Sequence, residues 1–255
     1  MDLPELLVVT FVAALITDLA TGLGAVPFFF IGKVKDSFNG LLLGAAAGMM
    51  SIASLVQLLG EGLQLAPGWG IVQVALGVGA GVAFFYLATK VIENDNFDLA
   101  NLRETGGTSA LLIVLAMTLH SLPEGIAIGV AYGSGETGFG PAIALALAIH
   151  NIPEGVAITA ALRGKGATTL ACLGWAIFSS LPQPLAAPPA AWGVWVFEPL
   201  LPAGLGFAAG AMMFLVAYDL IPEAVEKAGN AKASVAFGAG LVLMILLVGV
   251  IEAVV

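Results

Sequence analysis

Positive charge is scarce in this sequence. Eight Lys and Arg stand against 17 Asp and Glu in 255 residues, and charged residues make up only 10% of the chain. A soluble domain carries about 25% charged residues, so water is not this chain's main solvent. Cysteine occurs once, at Cys172 inside an apolar run. That excludes a disulfide framework within one chain and a thiolate metal cluster. No Gly-x-x-x-x-Gly-Lys-[Ser/Thr] phosphate loop is present, which speaks against work driven by ATP. The opening Met1-Asp2-Leu3-Pro4-Glu5 is acidic and lacks the basic region of a secretory signal, so the first apolar segment is expected to be a retained span.

What is present is apolar. Hydrophobic residues make up 60%, the mean hydropathy is +1.04, and the 33 glycines suit closely packed helices in lipid. Eight segments are each long enough to cross a bilayer: about 5–31, 39–60, 69–91, 108–132, 139–162, 167–189, 199–222 and 232–255. The expected fold is an all-α polytopic membrane protein, one transmembrane domain over residues 1–255. The longest break, Glu93 to Gly107, is rich in Asp and Asn and reads as a surface loop.

The few basic residues set the orientation. Lys33 and Lys35, Lys90 and Arg103, Arg163 and Lys165, and Lys227 and Lys232 all fall near breaks that follow odd-numbered segments. Under the positive-inside rule these breaks are cytoplasmic and both termini lie outside. A different segment count would scatter the same charges over both sides.

Gly44-Ala45-Ala46-Ala47-Gly48-Met49-Met50 in segment 2 resembles Gly206-Phe207-Ala208-Ala209-Gly210-Ala211-Met212-Met213 in segment 7. These segments cross in opposite directions. The expected layout is therefore 3 + 2 + 3, with segments 4 and 5 central and the flanking triplets an inverted repeat. Chance recurrence of small residues in lipid is the competing explanation.

The chemistry concentrates in the central pair. The chain's two histidines stand in His120-Ser121-Leu122-Pro123-Glu124-Gly125 and His150-Asn151-Ile152-Pro153-Glu154-Gly155. Positions i and i+4 share a helix face, so each histidine points the same way as its glutamate. A carboxylate at mid-bilayer costs at least ~2.5 kcal/mol, and no Lys or Arg lies in the interior of a span to offset it, Lys90 and Lys232 standing at span ends. A bound dication would neutralise both glutamates. Imidazole with carboxylate suits Zn²⁺, Fe²⁺, Mn²⁺ or Co²⁺, and suits Ca²⁺ or Mg²⁺ less. Pro123 and Pro153 free the carbonyls of Leu119 and Ile149, which is tolerable only against protein or a polar cavity. One His-x-x-x-Glu alone reads equally as a packing hydrogen bond or a proton relay; two copies holding every histidine weigh against both.

Other polar residues carry two readings each. Gln183, in Ser180-Leu181-Pro182-Gln183-Pro184, is either a third-helix ligand or the group that satisfies a broken backbone. Met49 and Met50 are either packing residues or soft thioether ligands. Asp219 is deep enough to line an exit path, whereas Glu223, after Pro222, reads as solvated. Asp18 is a further acid in segment 1.

At the paired motifs the chain resembles the ZIP family of zinc and iron transporters. The resemblance extends to Ala20-Thr21-Gly22-Leu23-Gly24-Ala25-Val26-Pro27 and Ile221-Pro222-Glu223-Ala224, and the short loops look like the prokaryotic branch. It implies a multi-pass protein of a prokaryotic plasma (inner) membrane that carries divalent metal into the cytoplasm. The metal would be zinc first, with iron, manganese, cobalt and cadmium as others, and no prosthetic group. It also implies a homodimer in the bilayer, rigid-body movement of the metal-carrying helices, and no nucleic-acid partner. Carried over by position, His120, Glu124, His150 and Glu154 form the principal site, with Met50 or Met49 nearby. Ser121, Asn151 and Gln183 surround a second position that shares the glutamates. Similar proteins can have glutamate at the helix 6 position; the neutral Gln183 speaks against tight binding of a second ion.

Two other classes compete with transport by a carrier. An intramembrane zinc protease usually places His-Glu-x-x-His on one helix, and a diiron bundle uses Glu-x-x-His with more carboxylates; neither pattern is present. A cation channel or a metal exporter could use the same residues.

Overall fold

The structure is a computed structural model that describes residues 1–31, 35–65, 68–93 and 107–254, with side chains of the fourth long helix described from residue 118 on. Lys33, Arg103 and nearly all of the acidic stretch between Glu93 and Gly107 lie outside the described residues. Eight long helical stretches follow one another, and no strand occurs among the described residues. They are α1 (Leu3–Phe29), α2 (Asp36–Gln64), α3 (Gly70–Glu93), α4 (Gly107–Gly133), α5 (Phe139–Gly164), α6 (Thr169–Val196), α7 (Leu200–Ala228) and α8 (Asn230–Val254). Seven are long and apolar enough among the described residues to cross a membrane. The remaining one, α4, is a helix of 27 residues. The chain is an all-α polytopic membrane protein.

Contacts pair the helices in a regular way. The α3 helix packs on α7 and α8 on α2; α4 packs on α6 and α1 on α5; α4 touches α7 and α5 touches α2. Exchanging 1 with 6, 2 with 7, 3 with 8 and 4 with 5 turns each of these pairs into its counterpart. That is the pairing expected of a 3 + 2 + 3 inverted repeat. Glycines make the two matching seams. A Cβ on Gly81 of α3 would lie 2.2 Å from the Phe207 carbonyl oxygen of α7, and one on Gly48 of α2 would lie 2.1 Å from the Phe237 carbonyl oxygen of α8. Backbone meets backbone there, the small-residue packing that lipid favours.

Both members of the repeated Gly…Met-Met run lead into a wide turn. The α2 helix loosens to π geometry over Ala53–Gly60, and α7 does so over Val216–Leu220. Such turns release carbonyls from the regular ladder, and Ser54 donates to the Met50 carbonyl just before the first.

The α6 helix differs from expectation. The sequence suggests an irregular backbone around Gln183; the break is instead confined to Leu181, between Thr169–Ser180 and Pro182–Val196. Pro182 and Pro184 stand in the first turn of the resumed helix, where an N–H would have no helical partner in any case. Helices α4 and α5 likewise continue through Pro123 and Pro153.

Candidate metal site

The central pair delivers its polar side chains into the bundle interior. His120, Glu124, His150 and Asn151 are fully buried, and Ser121 and Glu154 nearly so. Close approach of the backbones makes this possible: a Cβ on Gly155 would lie 1.8 Å from the Thr21 carbonyl oxygen of α1. Residue 155 therefore has to be glycine for α5 to bring Asn151 against α1.

Glu124, His150 and Glu154 each offer a ligand atom, and these atoms lie within 4.8 Å of one another. His150 Nε2 stands 3.0 Å from Glu124 Oε1. The Gln183 amide of α6 donates to Glu124 Oε2, and its Oε1 accepts from Asn151 Nδ2 at 3.3 Å. Asn151 Nδ2 also donates to the Thr17 carbonyl at 3.1 Å. One hydrogen-bonded chain thus joins α4, α6, α5 and α1. Glu154 Oε1 and His150 Nδ1 have no hydrogen-bond partner among the described residues.

The electrostatics favour a cation. Two ionised carboxylates within 4.8 Å of each other repel by at least about 3 kcal/mol at an effective dielectric of about 20. That adds to the cost of at least ~2.5 kcal/mol for each carboxylate in the bilayer. No described Lys or Arg pairs with either; Lys227 pairs with Glu223 instead. A dication among these three ligands removes the repulsion and both charges. The donor set, one imidazole and two carboxylates, suits zinc and its transition-metal neighbours.

His120 turns towards α7, where its Nε2 lies 3.8 Å from Asp219 Oδ2. Met49 packs among Ala53, Ala146 and Met244, while Met50 lies in the main apolar core with Leu43 and Ala47. Glu223 is partly buried and ion-paired with Lys227 rather than simply solvated. The structure adds residues that the sequence does not single out. A cavity of about 380 Å³ opens between the end of α2 and the turn into α5, lined by Gln57, Glu61, Gln64, Glu136 and Thr137 among others. The signal for it was the presence of acids, without bases, in and beside the breaks that follow segments 2 and 4.

Fold and site together define a multi-pass membrane protein with a carboxylate–imidazole cluster, able to hold a metal ion, buried between its two central helices. The family profile described as "ZIP Zinc transporter" matches residues 98–249, more than half of the chain. The zinc transporter GufA of Myxococcus xanthus is 33% identical over 245 residues, 92% of this chain and 96% of its own. The zinc transporter ZIPB of Bordetella bronchiseptica is 35% identical over 244 residues, 89% of this chain and 76% of its own. A relative in Arabidopsis thaliana is 36% identical over 217 residues, 84% of this chain; the chain spans only about a third (34%) of that protein's length. The chain belongs to the ZIP family.

Proposed function

We propose that this protein carries divalent transition-metal ions, zinc foremost, across the membrane and into the cytoplasm. The observation that carries the reading is the buried cluster of Glu124, His150 and Glu154, two carboxylates and an imidazole with no Lys or Arg partner among the described residues. The zinc transporters GufA and ZIPB as relatives support zinc as the cargo. Iron, manganese, cobalt and cadmium fit the same donors.

In this reading all eight helices cross the bilayer. The register of neighbours supports it: Gly125, Gly129 and Gly133 of α4 meet Gln183, Ala187 and Ala191 of α6 in the same order along both chains. Such parallel packing requires α5 to run back between them, and the parallel seam of α3 with α7 requires α4 to cross as well. The basic breaks then face the cytoplasm and both ends of the sequence lie outside. The cavity lined by Gln57, Glu61 and Glu136 opens on the outer side and gathers cations.

Metal sheds water onto Glu124, His150 and Glu154. His120 swings from Asp219 to complete four ligands, and Met50 or Met49, Ser121 and Asn151 form the surroundings. Gln183, already donating to Glu124, holds the cluster to one firmly bound ion. Asp219, 38% exposed, receives the ion on the way out. The transporter resides in a prokaryotic plasma membrane as a homodimer and performs no enzymatic step. Protons compete for the same ligands, so binding weakens as pH falls.

Vesicles of known protein orientation, given an imposed zinc gradient and competing metals, test this directly. Zinc flux towards the side bearing the basic loops is expected, reduced by cadmium, iron, manganese or cobalt and unaffected by calcium or magnesium. Flux of sodium or potassium that ignores removal of transition metal would favour a channel.

A further inference from the structure

The α1 helix holds a third buried acid that the metal cluster does not use. Asp18 is fully buried, and neither carboxylate oxygen has a hydrogen-bond partner among the described residues. Its place is fixed by its neighbours. One turn on, the Thr21 hydroxyl accepts from Ser180 of α6 at 2.9 Å, and Gly22 abuts the Ile177 side chain of α6. Asp18 therefore lies at the seam between α1 and α6, beside the break at Leu181. The preceding residue, Thr17, offers the carbonyl that anchors Asn151, the end of the chain running through Gln183 to Glu124.

Helices α4, α5 and α6 pack against α1. Their described titratable groups are His120, Glu124 and Tyr132, then His150, Glu154 and Arg163, then Cys172. Arg163 bonds to the Ala167 carbonyl at the far end of α5. Among the described residues no base is placed to accompany an ionised Asp18. A buried carboxylate without a partner is held neutral, and the group that neutralises it without demanding a ligand shell is a proton.

We propose that Asp18 is a proton-carrying group of the transporter, protonated while the Glu124–His150–Glu154 cluster is empty and deprotonated when a dication occupies it. The inference rests on the metal-site reading above. A dication adds two positive charges to a low-dielectric interior, and its hold on Glu124 tugs the hydrogen-bonded chain that ends beside Asp18. Both effects favour loss of the proton to water, leaving a carboxylate opposite the new charge. Linkage makes the effect reciprocal: a proton on Asp18 weakens metal binding by the same factor.

Calorimetric titration of the full-length purified protein with zinc chloride, in buffers of different ionisation enthalpy, counts the protons released. Asp18→Asn should bind zinc and release about one proton fewer than wild type, and Asp18→Glu should restore the count. Infrared spectra of the unaltered protein give a check that needs no variant: a protonated carboxyl C=O stretch should be present without metal and diminish on adding zinc. An equal proton count in wild type and Asp18→Asn, or no protonated carboxyl band in the metal-free protein, overturns the inference alone. Failure of the wild type to bind zinc overturns the metal-site reading and this one with it.

Discussion

Glu124 takes its hydrogen bonds from two other helices, from His150 on α5 and from Gln183 on α6. Gln183 holds the Glu124 carboxylate in place and passes the connection on to Asn151. A glutamate in its place would bring a third carboxylate to the cluster; the amide brings a donor. Hydrogen bonds to charged groups are worth about 1.5–3 kcal/mol. Gln183→Leu should lower the stability of the metal-free protein by about that amount, read as an earlier thermal unfolding transition in detergent. Zinc should recover part of the loss, because a ligand bound only to the folded state stabilises it. An unchanged transition without metal would show that the Gln183 amide carries no such load. At this scale the sequence was informative where spacing dictates geometry. His150 and Glu154, four apart on one helix, do share a face and a cluster. It was silent on rotamers, and so could not foresee His120 leaning to Asp219 on α7.

The helices themselves were legible because lipid demands long apolar runs, and the structure's helices begin and end within a few residues of most of them. The ends of α6 and α7 ran further than hydropathy alone suggests, to Val196 and Ala228. The amphipathic last turns of α7, with Glu223 paired to Lys227, look polar in sequence yet continue the helix. The wide turns at Ala53–Gly60 and Val216–Leu220 were invisible, since no residue type demands them; only the repeated Gly…Met-Met run that precedes both marks the place. Packing between helices gives a sharper prediction. Gly81→Ala must push the Phe207 carbonyl away, whereas a Cβ on Gly79 meets nothing within 4 Å. Gly81→Ala should cost more than about 2 kcal/mol, and Gly79→Ala should be neutral or slightly stabilising, as helix propensity favours alanine. Unfolding of the two variants in detergent compares them directly. Equal behaviour would contradict the close α3–α7 seam.

Across the whole molecule, two sets of helices emerge from the contacts. The α1, α4, α5 and α6 helices share the hydrogen-bonded chain and its buried acids, while α2 with α8 and α3 with α7 form flanking pairs seamed by glycine. Apolar residues such as Leu76 on α3 and Val242, Leu246 and Val250 on α8 are exposed on the outside of these pairs. This division, and the exchange symmetry behind it, was only hinted at in sequence, because small residues recur in lipid for general reasons and only the three-dimensional pairing tells repeat from coincidence. If metal passes through the Glu124–His150–Glu154 cluster, removing both carboxylates stops transport. Zinc uptake into proteoliposomes by the wild type and by Glu124→Ala/Glu154→Ala, reconstituted at equal amounts and checked for folding, tests that claim. Zinc-dependent uptake is expected of the wild type and none above empty liposomes of the double variant; uptake by the variant at the wild-type rate would mean that metal takes another path.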